Sequence, residues 1–233
     1  MLSGFQYRDE YVFRFQNEGY CSVISSGSVE GVADLIVQRE IEVHRALGRS
    51  FEWTHFSSDR PTDMLQILAK HGLEIGTKEV ICAIDLDSIS MPEPNGVVVK
   101  RVCDDDALAN FKSIGEAVFE KDYSYTANEI KDSIDRGDNI NTGFVAYDGE
   151  IPVSIGRLWK GESAQVAGLF TGGTLESWRG KGFYRALVWE RARYAKELGA
   201  KVLTVDAAPT SLAILIRLGF NPVVEAWPCE WHP

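Results

Sequence analysis

The clearest pattern of apolar and polar positions lies in the last third of the chain. An apolar run from Ala164 to Phe170 predicts a buried strand, and the segment 177–187 after it carries two glycines and three basic residues. Apolar residues then recur within one arc of a helical wheel, namely Leu187, Val188, Ala192, Ala195 and Leu198. Arg191 is the one charged residue in that arc, and Gly199 is typical of a helix end. The pattern predicts a strand, a tight turn and a helix.

A second strand and helix follow directly. Residues 201–206 predict a short strand, because Val202, Thr204 and Val205 are β-branched and Leu203 is apolar. Pro209-Thr210-Ser211 is typical of a helix start, and the apolar run 212–218 predicts the helix itself. Gly219 and Pro222 then end it.

The first 90 residues repeat this order of elements. Strands are predicted at 11–15, 21–24, 51–56 and 79–86, and helices at 29–47 and 61–69. Residues 65–73 align with residues 212–220 at a constant offset of 147, which Cys82 and Cys229 share. This favours a duplicated unit, although two amphipathic helices ended by glycine resemble each other without duplication. The segment 25–30 has no basic residue, unlike its counterpart in the second half.

The middle of the chain predicts a domain boundary. The proline-containing segment 91–96 is typical of a linker. After it we expect strands at 97–102, 143–147 and 153–158 and helices at 107–119 and 127–135, with Asp104, Asp105 and Asp106 capping the first helix. The predicted organisation is therefore a domain at 1–90, a linker at 91–96 and a second domain at 97–233.

Composition limits the partners and the compartment. The formal net charge is −10, so nucleic acid or an anionic membrane as the main partner is disfavoured, whereas a cationic amine substrate suits the balance. The four cysteines are widely scattered without metal-ligand spacing, as are the histidines, so we expect reduced thiols and no metal. The first ten residues lack an apolar signal core, and no apolar run approaches the length of a membrane span. We expect a soluble, cytoplasmic protein.

The glycine-bearing segment has the chemistry of an anion site. Gly180 and Gly182 let the backbone approach phosphate oxygens, and the helix start that follows presents free amide N–H groups. Arg179, Lys181 and Arg185 add positive charge. A bare turn with nearby arginines explains the same residues, and the spacing fits neither the dinucleotide fingerprint nor the phosphate loop that ends in Gly-Lys-Ser/Thr.

At this point the sequence resembles the GNAT superfamily of acyl-CoA-dependent N-acyltransferases. Arg179-Gly180-Lys181-Gly182 matches the start of that family's R/Q-x-x-G-x-G/A loop, and Leu218-Gly219-Phe220 matches its common closing motif. Tyr184 departs from the pattern, since it stands where glycine or alanine is usual. The resemblance covers residues 140–225 and, more weakly, 97–140. It implies an α+β, three-layer GNAT fold with a mixed central sheet flanked by helices, preceded by a smaller, related and degenerate domain that lacks the phosphate loop.

The resemblance also implies an activity and a cofactor. It implies an N-acetyltransferase that moves the acetyl group of acetyl-CoA to a primary amine of a small molecule or peptide by direct attack in a ternary complex. The pyrophosphate would lie on the amides of Gly180, Lys181, Gly182, Phe183, Tyr184 and Arg185, beside Arg179. The pantetheine arm would pair with the strand end at Gly172, Gly173 and Thr174. Ser211 would contact the cofactor, unless it simply caps the last helix.

The catalytic acid and base are where the sequence departs from the family. The usual tyrosine position holds Leu215, and the usual glutamate position holds Gly168. Tyr184, Tyr123, Tyr125 or water are the candidate acids. The candidate bases are Glu162, Asp206, Glu225, Glu230 and His232. Asp206 is favoured because it ends a central strand, where ligands of α/β sheets gather, although a capping aspartate explains it equally.

Two further interpretations stay open beside the enzyme. The missing tyrosine and glutamate favour a non-catalytic acyl-CoA-binding regulatory protein, and a purely structural repeat would suit a two-domain interaction protein. The segment 119–125 lies where the family lines its acceptor site, and its acids and aromatics would suit an ammonium group, although a solvated loop has the same composition. The sequence leaves the oligomeric state open, and a homodimer is compatible with it.

Overall fold

The computed structural model describes residues 5–17, 20–88, 91, 93–94 and 96–233. Over these residues the chain forms the mixed sheet and flanking helices that the sequence predicts. The helices are α1 (Ala33–Leu47), α2 (Met64–Lys70), α3 (Asp105–Phe119), α4 (Ser124–Arg136), α5 (Phe183–Glu197) and α6 (Pro209–Arg217). The strands are β1 (Phe5–Arg8), β2 (Val12–Gln16), β3 (Cys21–Ser25), β4 (Phe51–Phe56), β5 (Glu74–Ile75), β6 (Glu79–Asp85), β7 (Val98–Arg101), β8 (Asn141–Asp148), β9 (Ile151–Trp159), β10 (Val166–Thr174), β11 (Val202–Ala207) and β12 (Asn221–Trp231).

The chain divides into two compact units that are not contiguous in sequence. Unit 1 comprises Met1–Ile81, Ala208–Thr210 and Val223–Pro233, and unit 2 comprises Cys82–Ala207 and Ser211–Pro222. The sequence predicts a domain boundary at the linker 91–96, of which Pro92 and Asn95 lie outside the described residues. That boundary divides the sequence into contiguous segments, whereas the two compact units are defined by contacts between residues. The sequence domains therefore stay a prediction.

Unit 1 is built on the strand order β1-β2-β3-β4-β12, with β5 also paired to β12. β3 and β4 are parallel, as expected for strands joined through a helix, here α1. The pairs β1–β2, β2–β3, β4–β12 and β5–β12 are antiparallel. Its core is a single apolar cluster that includes Val23, Val37, Trp53, Leu68 and Cys229.

A network of charged side chains in unit 1 surrounds one buried carboxylate. Glu40 is fully buried and lies 2.7 Å from Arg14 Nη2 and 3.0 Å from Arg39 Nη2. Arg39 also binds Asp9, at 2.8 Å. Burial raises the pKa of Asp9, but hydrogen bonds from the N–H groups of Val12 and Tyr11 and from Arg39 outweigh it and bring that pKa down to about 2.

Unit 2 has the strand order β6-β11-β10-β9-β8-β7. β10 and β11 are parallel and are joined by α5, whereas β7 to β10 are antiparallel neighbours. One face of the sheet packs against α3 and α4 through a cluster that includes Phe111, Ile130, Val145 and Ile155. The other face carries α5, whose residues Phe183, Ala186, Leu187, Val188, Ala192 and Ala195 are buried.

The two units exchange their closing strands. The strand that follows α6, β12, pairs with β4 in unit 1. After α2 come the two-residue β5 and then β6, which lies beside β11 and whose residues 82–85 belong to unit 2. The order strand, helix, parallel strand, helix, strand is therefore present twice, but each copy is completed by the last strand of the other. Hydrophobic periodicity alone does not indicate this pairing.

Four helices begin at other residues than the sequence predicts, and one of them, α3, begins at Asp105 instead of Ala107. α1 begins at Ala33 instead of Val29, because Gly31 has a φ of 80° and residues 29–32 form a turn closed by the N–H of Val32 on the carbonyl of Val29. α2 begins at Met64, after a turn opened by Pro61, and α4 begins at Ser124, whose N–H binds Asp122 at 2.9 Å. Asp104 caps α3 as predicted, accepting from the N–H of Ala107 at 2.8 Å. Within the described residues no helix is long and apolar enough to cross a membrane.

Candidate functional site

The start of α5 is open to solvent. After β10 comes a short 3₁₀ turn at Glu176–Trp178, then the exposed loop residues 179–181. Gly180 and Gly182 have φ values of 76° and 94°, a region that favours glycine, and a β-carbon on either would meet no atom within 4 Å. No side chain caps the helix at Gly182. The first amides of a 15-residue helix are thus presented to an anion.

The basic residues of this loop have different roles. Arg179 Nε donates to the carbonyl of Thr174 at 3.2 Å, which ties the loop to the end of β10. Lys181 Nζ lies 5.8 Å from the centre of the Trp178 ring. Arg185 is exposed on the first turn of α5. All three add positive charge around the open helix start, where the sequence predicts the pyrophosphate.

β10 stops pairing with its parallel neighbour β11 after Leu169, and its pairing with β9 is interrupted directly afterwards. β10 and β11 are in register from Val166 beside Val202 to Leu169 beside Val205, and β10 then runs on to Thr174. Its register with β9 shifts between Phe170 and Gly173, so Thr171 and Gly172 form a bulge. Thr171 has a φ of 49° although it is not glycine, and its buried hydroxyl has no hydrogen-bond partner among the residues that the structure describes. The sequence carries no signal for this bulge beyond its two glycines.

The three predicted pantetheine positions face different surroundings. Gly172 is half-buried, and a β-carbon there would lie 2.9 Å from Tyr184 Cε2, so the Tyr184 ring lies against the bulge. Gly173 and Thr174 are buried, and their carbonyls already accept from Ser154 Oγ and Arg179 Nε. The structure brings all three to the end of β10 beside the loop. Their pairing with a pantetheine arm stays a prediction.

The position of the missing glutamate is covered by an aromatic ring. A β-carbon on Gly168 would lie 2.6 Å from Phe170 Cε2, so any side chain there would displace that ring. Phe170 is 39% exposed, and the Arg157 guanidinium lies 5.4 Å from the centre of its ring and pairs with Glu129. The position of the missing tyrosine, Leu215, is fully buried. Neither position presents an acid or base to the end of β10.

The predicted catalytic residues separate into two groups. Asp206 is exposed near the end of β11, on the same face of the sheet as Thr204, which lies beside Gly168 in register. Tyr184 lies at the bulge, as described above. Tyr123 is 2% exposed and stacks on Phe119 with a ring separation of 5.4 Å, and burial raises its pKa. Packing accounts for Tyr123, and its role as an acid stays a prediction.

The remaining candidates lie elsewhere. Ser211 is half-buried in the first turn of α6, two residues after that helix begins. Glu225 and Glu230 belong to β12 in unit 1, where Glu225 binds Lys78 at 2.7 Å and Glu230 lies 3.3 Å from His232. Glu162 and Tyr125 are exposed in unit 2. The role of Ser211 as a cofactor contact, and of the other residues as acid or base, stays a prediction.

Comparison with known proteins identifies the fold. No family model matches the sequence, and no curated protein matches it. Among solved structures, a GCN5-related N-acetyltransferase from Kribbella flavida superposes with a TM-score of 0.74 and 16% identity, covering 98% of this chain and 89% of that one. A GCN5-related N-acetyltransferase from Sphaerobacter thermophilus gives a TM-score of 0.68 at 16% identity, covering 99% and 76%. A tandem GNAT protein from the clavulanic acid biosynthesis pathway gives 0.61 at 13%, covering 94% and 78%.

These similarities establish the GNAT fold, as the sequence motifs predict. The chain therefore has the fold of acyltransferases of this class. Identities of 13–16% fix neither a reaction nor a substrate.

Proposed function

We propose that the protein is an N-acetyltransferase that transfers the acetyl group of acetyl-CoA to a primary amine of a small molecule or peptide. The observation that carries this proposal is the open start of α5 beside the bulged end of β10. An open helix start and the bulged end of β10 lie next to each other, which suits a nucleotide diphosphate joined to an extended arm.

The residues present fit coenzyme A. A β-carbon at Gly180 or Gly182 would meet no described atom within 4 Å, so no side chain stands against the loop at these two positions, where a diphosphate would approach. The half-buried backbone at Gly172 would hold the arm, and the orphaned hydroxyl of Thr171 offers a further donor close by. When bound, acetyl-CoA supplies an activated thioester, so no covalent intermediate on the protein is needed.

The chain's own residues would contribute positioning and proton transfer. Holding amine and thioester together supplies roughly 7–11 kcal/mol of the barrier. Backbone N–H groups at the bulge would stabilise the negative charge that develops on the acyl oxygen. Asp206, exposed near the end of β11, would take the proton from the ammonium group. Tyr184, whose ring lies against Gly172, would be the proton donor to the leaving sulfur, unless water serves.

Unit 1 would not bind a second cofactor. In the matching helix, α1, the first turn carries Asp34, an acid that suits a helix start but repels a phosphate. Asp34 is itself bound by Lys70 and His71, both at 2.8 Å. We therefore propose that this half is a degenerate copy with a structural role.

One observation favours a second function. Phe170 covers Gly168, and Leu215 is buried, so both usual positions for an acid or base are closed. A non-catalytic acyl-CoA-binding regulatory protein needs the loop but neither of these groups.

Calorimetry with CoA and a thiol-release assay with a panel of amines test the proposal. Binding of one CoA per chain with acetyl-CoA consumption in the presence of an amine supports the enzyme. Binding without turnover supports the regulatory protein. Absence of binding leaves the two-domain interaction protein, and two equivalent sites would contradict the degenerate role of unit 1.

A further inference from the structure

Arg191 is a buried cation held by backbone carbonyls. It is 1% exposed, on the face of α5 that packs on the sheet. Its Nε donates to the carbonyl of Leu187 at 3.0 Å, and its Nη1 donates to the carbonyls of Arg157 and Phe170, each at 3.2 Å. None of the ion pairs in the described part of the chain includes it. Burying a cation without a carboxylate partner is strongly unfavourable, so Arg191 needs a specific role to account for its buried position.

The surrounding backbone makes room for this guanidinium. A β-carbon on Gly156 would lie 2.6 Å from Arg191 Cζ, so only glycine leaves the space. Burial lowers the pKa of Arg191 to about 10, which still keeps the group charged at neutral pH. Arg191 thus places a full positive charge between α5 and the sheet.

That place is the base of the bulge in β10. Phe170 and Arg157 are register partners on β10 and β9, directly before the bulge, and one Nη1 group holds both carbonyls. Arg191 Nη2 lies 3.4 Å from the position of a β-carbon on Gly172. The Tyr184 ring reaches the same point at 2.9 Å. The cation therefore holds the backbone directly before the bulge and lies beside Gly172, where the sequence predicts the pantetheine arm.

We propose that Arg191 is a positioning residue for acyl transfer, which locks the β10 bulge and stabilises negative charge developing beside it. By holding the Phe170 carbonyl it would fix the orientation of the following peptides, whose N–H groups would face the acyl oxygen. Its charge would also favour that oxygen and the leaving thiolate, because both become negative during the reaction. This inference rests on the proposed function for its catalytic part only.

The following variants distinguish a residue that fixes the β10 bulge from one that only stabilises the fold. Arg191→Met removes both the hydrogen bonds and the charge, and Arg191→Lys keeps the charge on a similar stem. Arg193→Met is the matched control, because Arg193 lies on the same helix but is exposed and pairs with Glu190 and Glu197. Gly156→Ala displaces the guanidinium without removing it, and Gly161→Ala is its control, since the nearest atom there is 3.6 Å away.

The first measurement does not depend on any ligand. Hydrogen exchange of the amides at residues 169–174 in the free protein should be at least tenfold faster in Arg191→Met and in Gly156→Ala than in the wild type. The Arg193→Met and Gly161→Ala proteins should match the wild type. Unchanged exchange in the first pair would overturn the bracing of the bulge, whatever the protein binds.

The second measurement is steady-state turnover with the best amine of the panel. Arg191→Met should lower kcat about 100-fold, as expected for misplacing an oxyanion donor, while the CoA dissociation constant changes less than threefold. The kcat of Arg191→Lys should be at least tenfold higher than that of Arg191→Met. Equal losses in affinity and kcat, or no recovery, would reduce Arg191 to a structural residue. If Arg191→Met does not fold, Gly156→Ala decides by the same criteria. A wild type that neither binds CoA nor turns over defeats the proposed function, while the exchange result still decides the brace.

Discussion

Replacing Gly182 with aspartate tests the anion site most directly. Gly182 precedes the first turn of α5 at a φ of 94°, in open space, so an aspartate side chain fits sterically but strains the backbone. The left-handed conformation costs about 1–2 kcal/mol for a residue with a β-carbon, and aspartate tolerates it better than most. The new carboxylate would bind the same amides as the phosphate, and its charge would repel that ligand.

The magnitude follows from Coulomb's law. Two charges at about 4 Å repel by roughly 1 kcal/mol in bulk water and roughly 4 kcal/mol near a protein surface. For the exposed loop we take about 2 kcal/mol, which corresponds to about a 30-fold increase in the CoA dissociation constant. A carboxylate at a helix start also stabilises the helix by about 0.3–1 kcal/mol, so the melting temperature should change little.

Isothermal calorimetry with CoA is the assay, and Gly149→Asp is the matched control. Gly149 also has a left-handed φ, of 61°, and open space, but it lies in the turn between β8 and β9. Gly149→Asp should therefore have backbone strain and an added charge like those of Gly182→Asp, but it should bind CoA as tightly as the wild type. CoA binding that is equally tight in Gly182→Asp and the wild type would refute the assignment of the loop, as would an equal loss in the two variants.

Three further predictions concern other parts of the chain. Asp206→Asn should lower kcat about 100-fold with CoA affinity unchanged, because the amide does not accept the amine proton; turnover at wild-type rate would exclude this base. Gly168→Glu should lower the free energy of unfolding in urea by about 1–3 kcal/mol through its clash with Phe170, and adding Phe170→Ala should restore most of it; a fully stable single variant would contradict the contact. Asp9→Asn should cost about 1–2 kcal/mol at pH 7, allowing for partial exposure. Because the pKa of Asp9 is depressed to about 2, this stabilisation is present above the unfolded pKa near 4 and is lost as pH falls toward 2, so the two unfolding curves should converge there.

The sequence predicts the elements around the loop well, because each is set by local chemistry. β10, α5, β11 and α6 follow from apolar spacing and from glycine or proline at their ends. The tight loop before α5 follows from Gly180 and Gly182, which the structure places in left-handed conformations with open space around them, and its binding of phosphate stays a prediction. Long, strongly periodic segments with clear ends depend little on the rest of the fold.

The parts that escaped prediction depend on tertiary partners. Arg191 stands out in its apolar arc, but the groups it binds are backbone carbonyls of two strands, which no side-chain pattern indicates. The residues around Tyr123 have the composition of an exposed acceptor loop. The ring of Tyr123 nevertheless packs into the space that Gly115 leaves. The bulge at Thr171 places a non-glycine residue at positive φ, which local propensity disfavours.

The exchanged closing strands have a consequence for how the protein is made. Residues 51–56 leave the ribosome early, but their neighbour in the sheet, residues 221–231, is translated only after the whole of the intervening chain. Until then the nascent first unit has an open edge that invites wrong partners. The first unit can therefore complete its sheet only after residues 221–231 have been translated.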